Sequence, residues 1–356
     1  MMYSLDEIGL IPARISTIKS RSEIAPTIYT DFGDKALPIF ISPMTCIVNK
    51  DNIEKIDDYF IPILPVTTQS AEVRRVLPSG DKWNGWRALT LEEFRAAYVD
   101  TSFKGSCEDH ILIDCAQGHM STLFELVPIA KLKFPNLKVM TGNIANPETY
   151  VDCCKAHIDY VRIGIGGGNG CLTSVIDGTH ASIPWILNNI KIIKDRLRYY
   201  RNTRNPVYLN GLCSAEDFDK IEGFRTKIIA DGGIDTIAKA IKCLALGADY
   251  VMIGKMFAHC SDVALRPMCV GGEYYKEYYG QASEQGQIDR FGEVKRHPEG
   301  TRIIVKLDTN MPKLFEEFHA GLVSAMSYHN ARKLSEFIGK VQWEHMTISE
   351  FNSFNK

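Results

Sequence analysis

The chain has no excess of charge of either sign: 41 Lys and Arg against 43 Asp and Glu leave a formal net charge of −2 over 356 residues. That balance excludes the electrostatic footprint of a nucleic-acid binder or of a protein held on an anionic membrane. A small-molecule partner is the expectation instead. No run of eighteen apolar residues occurs, so no transmembrane helix is predicted. The stretch Met1 to Glu7 has no basic segment leading into an apolar core, so no export signal is predicted either. Ten cysteines are present, but there is no C-x-x-C and no Cys/His spacing suited to a structural zinc ion. They read as reduced thiols in a soluble, cytoplasmic protein. Internal repeats, low-complexity segments and Gly/Ser linkers are also missing. One domain over 1–356 is the expectation, large enough to bury its core without staples.

What is present is a regular succession of short apolar runs, each followed by a longer segment with helical spacing. The predicted strands are Leu37–Ser42, Ile61–Val66, Trp86–Leu89, Ile111–Cys115, Lys138–Met140, Tyr160–Ile163, Thr226–Ala230 and Tyr250–Ile253. Helices are predicted over Ser121–Lys133, Pro147–Ala156, Ile183–Arg196 and Thr236–Leu246. Eight such units point to an α/β fold, a closed (β/α)8 TIM barrel, with a doubly wound open sheet as the alternative. Pro206–Asn210 is a ninth strand-like run, placed in an insertion before Thr226. Residues 1–35 read as an irregular N-terminal arm. Residues 270–306, rich in Gly, Tyr and charge with few helix or strand signals, read as a flap after strand eight. Leu314–Ser327 and Ala331–Ile338 restore helical spacing in the closing segment 307–356.

A barrel of this kind places its site at the C-terminal ends of its strands. There the sequence offers Pro43-Met44, Asp114 to Gly118, Gly142-Asn143, the glycine-rich run Gly164 to Thr173, Asp231-Gly232-Gly233 and Gly254-Lys255. Gly-rich turns after strands seven and eight suit a phosphate met by backbone N–H groups, although a single Asp-Gly-Gly is usually only a tight turn. Asp114 reads equally as a helix cap or as a partner for a ribose or nicotinamide. Cys171 reads as a small buried thiol on residue type, or as a nucleophile if its loop activates and exposes it.

Taken together and in order, these motifs resemble the inosine-monophosphate dehydrogenase and GMP reductase family. Lys19 to Glu23, Ser42-Pro43-Met44, Asp114 to Gly118, Gly142-Asn143, Gly164-Ile165-Gly166, Gly168 to Cys171, Ala230 to Gly233, Val251 to Gly254 and Tyr279-Gly280 all carry the likeness. The resemblance implies that the Cys171 thiolate attacks C2 of a purine nucleoside monophosphate, with Thr173 and Glu284 as the other catalytic residues. It implies a substrate side made of Met44, Asn169, Gly170, Asp231, Gly232, Gly233, Gly254, Lys255, Tyr278, Gln281, Ala282 and Ser283. A nicotinamide side would comprise Asp114, Cys115, Ala116, Asn143 and Arg162. A potassium ion on the backbone carbonyls of Gly166, Gly168 and Cys171 and a homotetrameric assembly are further implications.

Within that family the resemblance favours the NADPH-dependent reductase. The regulatory modules that most dehydrogenases insert are missing, and Tyr279 to Glu284 resembles the reductase segment whose glutamate helps protonate departing ammonia. The dehydrogenase's Arg-Tyr pair is Arg290-Phe291 here, with no phenolic hydroxyl; Arg290 and Glu284 read on residue type alone as surface charges. An NAD-dependent inosine-monophosphate dehydrogenase and a non-catalytic nucleotide-binding paralogue are the alternatives. The chain departs from the family at Asn169, Lys255 and Gln281, and Arg162 is more like the dehydrogenases.

Overall fold

Seven of the predicted strands form one parallel sheet because their runs are mainly apolar on both faces: β1 Ile39–Ile41, β2 Arg87–Leu89, β3 His110–Ile113, β4 Lys138–Ile144, β5 Tyr160–Ile163, β6 Lys227–Asp231 and β7 Tyr250–Ile253. The computed structural model describes residues 4–100, 109–115, 117–167, 173–176, 178–221, 223–295, 297–298 and 300–346, with Thr173 and Lys220 described in backbone only. The sheet order is β1-β7-β6-β5-β4-β3-β2, and every neighbouring pair is parallel. The sheet curls so that one face turns inward. Phe40, Trp86, Tyr160 and Tyr250 meet there with ring centroids 5.1–6.2 Å apart, packed with Ile63, Leu112, Met140, Ile229 and Met252. The intervening residues, such as Ile111, Val139, Val161, Ile228 and Val251, face outward into the helical shell. Period-two alternation thus divides each strand between two apolar environments.

The second predicted strand, Ile61–Val66, is not a strand. It touches both edges of the sheet instead: Ile61 bridges Phe40 and Leu64 bridges Arg87, with Ile41 N donating to Ile61 O at 2.9 Å and Ala88 N to Leu64 O at 2.7 Å. Pro62 and Pro65 explain the interruption, since neither has the N–H that a continuous ladder needs. Pro206–Asn210 is also not a strand: Pro206–Leu209 is a turn of 3-10 helix capped by Asn205, whose side chain accepts from Val207 N. Pro at the first position favours that turn.

The helices close the outer layer. Ile237–Leu246 starts at Thr236, whose hydroxyl accepts from Lys239 N at 3.2 Å, and stops at Gly247 with φ 117°. Ser121–Lys133, Thr149–Lys155 and Ile183–Thr203 follow β3, β4 and β5, and Met311–Tyr328 packs late in the chain. The predicted helix Ala331–Ile338 contracts to Leu334–Phe337.

Two expected irregular regions have structure. In the first 35 residues, Ile8–Ile11 pairs antiparallel with Gln342–His345, and Ile28–Tyr29 pairs with Lys35–Ala36 in a hairpin that packs Ile28 and Ala36 against the inner cluster. Within 268–306 the strands Met268–Val270, Glu273–Tyr279 and Arg302–Lys306 form an antiparallel sheet, followed in sequence after Tyr279 by the helix Glu284–Phe291. Among the described residues no helix is long and apolar enough to cross a membrane, and the eight cysteines among them are free.

Candidate active site

The loops leaving β3 to β7 gather at one end of the sheet, and backbone meets backbone there. Gly164 ends β5 at φ 109°, and a Cβ on it would lie 2.6 Å from the Asp231 carbonyl oxygen. Gly233, at φ 71°, would place a Cβ 2.5 Å from the carbonyl oxygen of Gly167. Any side chain at either position would part the β5 and β6 loops, which is why the run is glycine. Gly232, at φ 101°, continues the same turn. Further along the β5 loop, Ser174 Oγ donates to Gly166 O at 3.3 Å, and Ile165 bridges Ala181.

Asp231 lies at the centre of a polar network. Asn143 Nδ2 donates both to Asp231 Oδ2 at 3.0 Å and to Gly164 O at 2.9 Å. Arg162 Nη1 is 3.6 Å from the same carboxylate oxygen, and its Nη2 is 3.9 Å from Asp114 Oδ1. Burial pushes the Asp231 carboxyl upward, opposed by the Arg162 charge and the Asn143 hydrogen bond. Cys115 Sγ faces the Gln117 carbonyl oxygen at 3.2 Å, and burial pushes its thiol up, away from the thiolate.

Arg290 crosses from the helix Glu284–Phe291 to the same network. Its Nη1 is 2.9 Å from Asp114 Oδ2, and its Nη2 donates to the Asp114 carbonyl at 2.6 Å. The reading of Arg290 as a surface charge is therefore corrected: its side chain is 12% exposed. Asp289 anchors the helix on the other side, accepting from Thr45 Oγ1 at 2.8 Å and Tyr279 Oη at 2.6 Å. The contacts with Asp114 and Thr45 are not legible from residue type, because those partners lie 176 and 244 positions away.

Among the residues expected to hold the substrate, a Cβ on Gly254 would lie 3.0 Å from Met44 Sδ and 3.1 Å from Tyr278 Oη, so the loops after β1 and β7 and the strand Glu273–Tyr279 converge there. Tyr278 is buried, and burial raises its phenol above the ordinary value. Lys255 begins the one-turn helix Lys255–Ala258 and is half-buried. Gln281 Nε2 donates to the Pro43 carbonyl. Ser283 is the buried N-cap of its helix, with Oγ accepting from Gly286 N at 3.1 Å, while Ala282 and Glu284 are exposed. Ala116, Gly168, Asn169, Gly170 and Cys171 lie outside the described residues, and Thr173 is described only as the first residue of the helix Thr173–Ile176. Among the described residues no group of three or more His, Cys, Asp or Glu side chains is placed to hold a metal ion.

A curled parallel sheet whose glycine-rich loops meet around the half-buried Asp231 at the C-terminal strand ends defines an α/β protein with a TIM-like barrel architecture. The family model for the IMP dehydrogenase / GMP reductase domain matches residues 100–195 and 212–353, and Pro206–Leu209 lies between the two matched stretches. The chain belongs to that family of purine-nucleotide oxidoreductases. It is 27% identical over 354 residues to a GMP reductase of Helicobacter pylori, covering 99% of this chain and 98% of the relative. It is 26% identical to a GMP reductase of Streptococcus suis, covering 94% and 92% respectively. An inosine-5'-monophosphate dehydrogenase of Borreliella burgdorferi is 29% identical over 256 residues, 69% of this chain and 54% of that protein.

Proposed function

We propose that this protein is a GMP reductase: it converts GMP, or a closely related guanine nucleotide, to IMP and ammonia with NADPH, on a (β/α)8 barrel in which residues 61–66 fill the second strand position. The observation that carries this reading is the end-to-end likeness to GMP reductases, against a dehydrogenase matched over 54% of its length. The Arg290–Asp114 pair and Phe291 support it, since that arginine is already engaged and its neighbour has no hydroxyl with which to activate water.

The Cys171 thiolate attacks C2 of the guanine, and the C2–N bond breaks as Glu284, with Thr173, protonates the departing ammonia. NADPH, when bound, would supply the hydride for C2, and the Cys171 thiolate is the group that leaves C2 as IMP forms. Asp231 holds the ribose hydroxyls, and its raised affinity for a proton suits a carboxyl awaiting those donors. Gly232, Gly233 and Gly254 offer backbone N–H groups to the phosphate beside Tyr278 and Lys255, while Gln281, Ala282 and Ser283 line the base. A nicotinamide carboxamide needs both an acceptor and a donor. Asp114 and Asn143 provide acceptors, and Arg162, whose Nε has no partner, provides a donor. Potassium on the carbonyls of Gly166, Gly168 and Cys171, and a homotetramer, belong to the same proposal.

The test is to follow reduced-cofactor absorbance with GMP plus NADPH and with IMP plus NAD. Consumption in the first mixture alone is expected, whereas production in the second alone identifies a dehydrogenase and silence in both a binding protein. Cys171→Ala should abolish turnover and keep nucleotide binding. Glu284→Gln should slow ammonia release more than hydride transfer; if it slows neither step, Glu284 is only a surface charge.

A further inference from the structure

At the opposite end of the sheet, where β2, β3 and β4 begin, there is a cavity of about 620 Å³, in the size range of small-molecule sites. Conservation of stability, not catalysis, is the usual role of that face in such folds, yet polar and charged residues line this cavity. Its carboxylates are already engaged. Asp109 meets Arg87 at 3.0 Å and Arg75 at 3.4 Å and accepts from Tyr98 Oη at 2.5 Å. Asp31 accepts from Tyr160 Oη at 2.5 Å, with Lys227 3.9 Å away.

Donors remain on the cavity's rim. Arg75 uses Nε on the Trp83 carbonyl and Nη2 on Asn84, which leaves Nη1 outside those contacts. Lys138 keeps its ammonium 3.6 Å from Asp159, beyond hydrogen-bond distance, and its side chain is 38% exposed. Asp159 is itself paired with Lys131. Among the residues that line the cavity, two cations, Arg75 and Lys138, stand beside two carboxylates, Asp31 and Asp109, and the two carboxylates are already engaged by Tyr160, Tyr98 and Arg87. Phe32 adds an exposed ring, stacked obliquely on His110 at 4.2 Å, and Asn84 and Asn136 add amides with both donor and acceptor atoms.

We propose that this cavity is a second ligand site, for a nucleotide-sized organic anion that carries a planar ring. Its anionic group meets Arg75 and Lys138, its ring stacks on Phe32, and the asparagine amides read the ring's edge. The site is separate from the catalytic mouth, and the proposal stands whichever reaction is performed there.

Equilibrium dialysis of the full chain against AMP, ribose 5-phosphate and inorganic phosphate tests it, with fluorescence of Trp83 and Trp86 beside the cavity as a second readout. AMP should bind saturably, and Phe32→Ala should weaken AMP about tenfold without affecting ribose 5-phosphate, since a stacked base contributes on the order of 1–3 kcal/mol. Lys138→Gln should weaken both organic phosphates and Lys138→Arg should restore them. The same AMP site should survive Asp231→Ala, which disables only the mouth. Loss of all AMP binding in Asp231→Ala, binding indifferent to Phe32→Ala and Lys138→Gln, or no saturable binding at all would each overturn the proposal. So would phosphate binding as tightly as AMP, which would mean an anion site without ring recognition.

Discussion

Arg290 and Asp114 are 176 positions apart, yet they form the charged contact that joins the helix Glu284–Phe291 to the sheet's polar network. Both groups are largely removed from water, so losing one strands the other. Arg290→Ala should cost about 2–4 kcal/mol in urea unfolding; a change below about 0.5 kcal/mol would mean that the pair is solvated and contributes little. His119 gives a pH-dependent case. Its Nε2 accepts from Ala145 N at 3.0 Å and Asn146 N at 3.3 Å, which only the neutral ring can do, and burial lowers its proton affinity. On acidification the unfolded chain takes up the proton first. The stability contributed by neutral His119 is therefore complete above about pH 6.5 and is lost as pH falls toward the lower folded-state value. The urea midpoint should drop between about pH 7.5 and pH 5.5 and drop less in His119→Gln. Equal slopes in the two proteins would assign the pH dependence to other groups.

At the scale of elements, the parallel strands were legible because each is a short, mainly apolar run followed by a segment with helical spacing, and the helix Ile237–Leu246 because Thr236 and Gly247 mark its ends. The segment 61–66 has the same apolar composition, but two prolines replace continuous pairing with single bridges. The sheet in 268–306 was not legible. Its faces are mixed and its cross-strand ion pairs, Glu277 with Arg302 and Glu273 with Lys306, join residues 25 and 33 positions apart. The glycine run was legible as a place of close approach, but only the fold says what approaches. Two alanine substitutions separate conformational strain from collision. Gly164→Ala brings a Cβ to 2.6 Å from the Asp231 carbonyl and should destabilise by about 3 kcal/mol or more. Gly211, at φ 73° with nothing within 4 Å, bears only the backbone cost, so Gly211→Ala should lose about 1–2 kcal/mol. Similar losses at both positions would argue against the close packing of the β5 and β6 loops.

For the molecule as a whole, the order of motifs at strand ends carried the family, while the proposed distinction between family members rests on the end-to-end likeness to GMP reductases, with Arg290 and Phe291 in support. Asp231, Asn143 and Arg162 were assigned separately to ribose and nicotinamide from their motifs; in the fold they share hydrogen bonds and charge. That coupling is tertiary and leaves no trace in spacing. It also means that nucleotide and cofactor sides should respond together: Asn143→Ala should raise the KM for both substrates, by severalfold to tenfold if about 1–1.4 kcal/mol is lost from each. A change confined to one substrate would separate the two sides. The direction of the chemistry is decided by stoichiometry. With GMP as substrate, ammonia released and NADPH oxidised should appear in a ratio of one to one, with IMP as the product. NADH formed from IMP and NAD, with no ammonia and no NADPH oxidised in the presence of GMP, would contradict the assignment as a reductase.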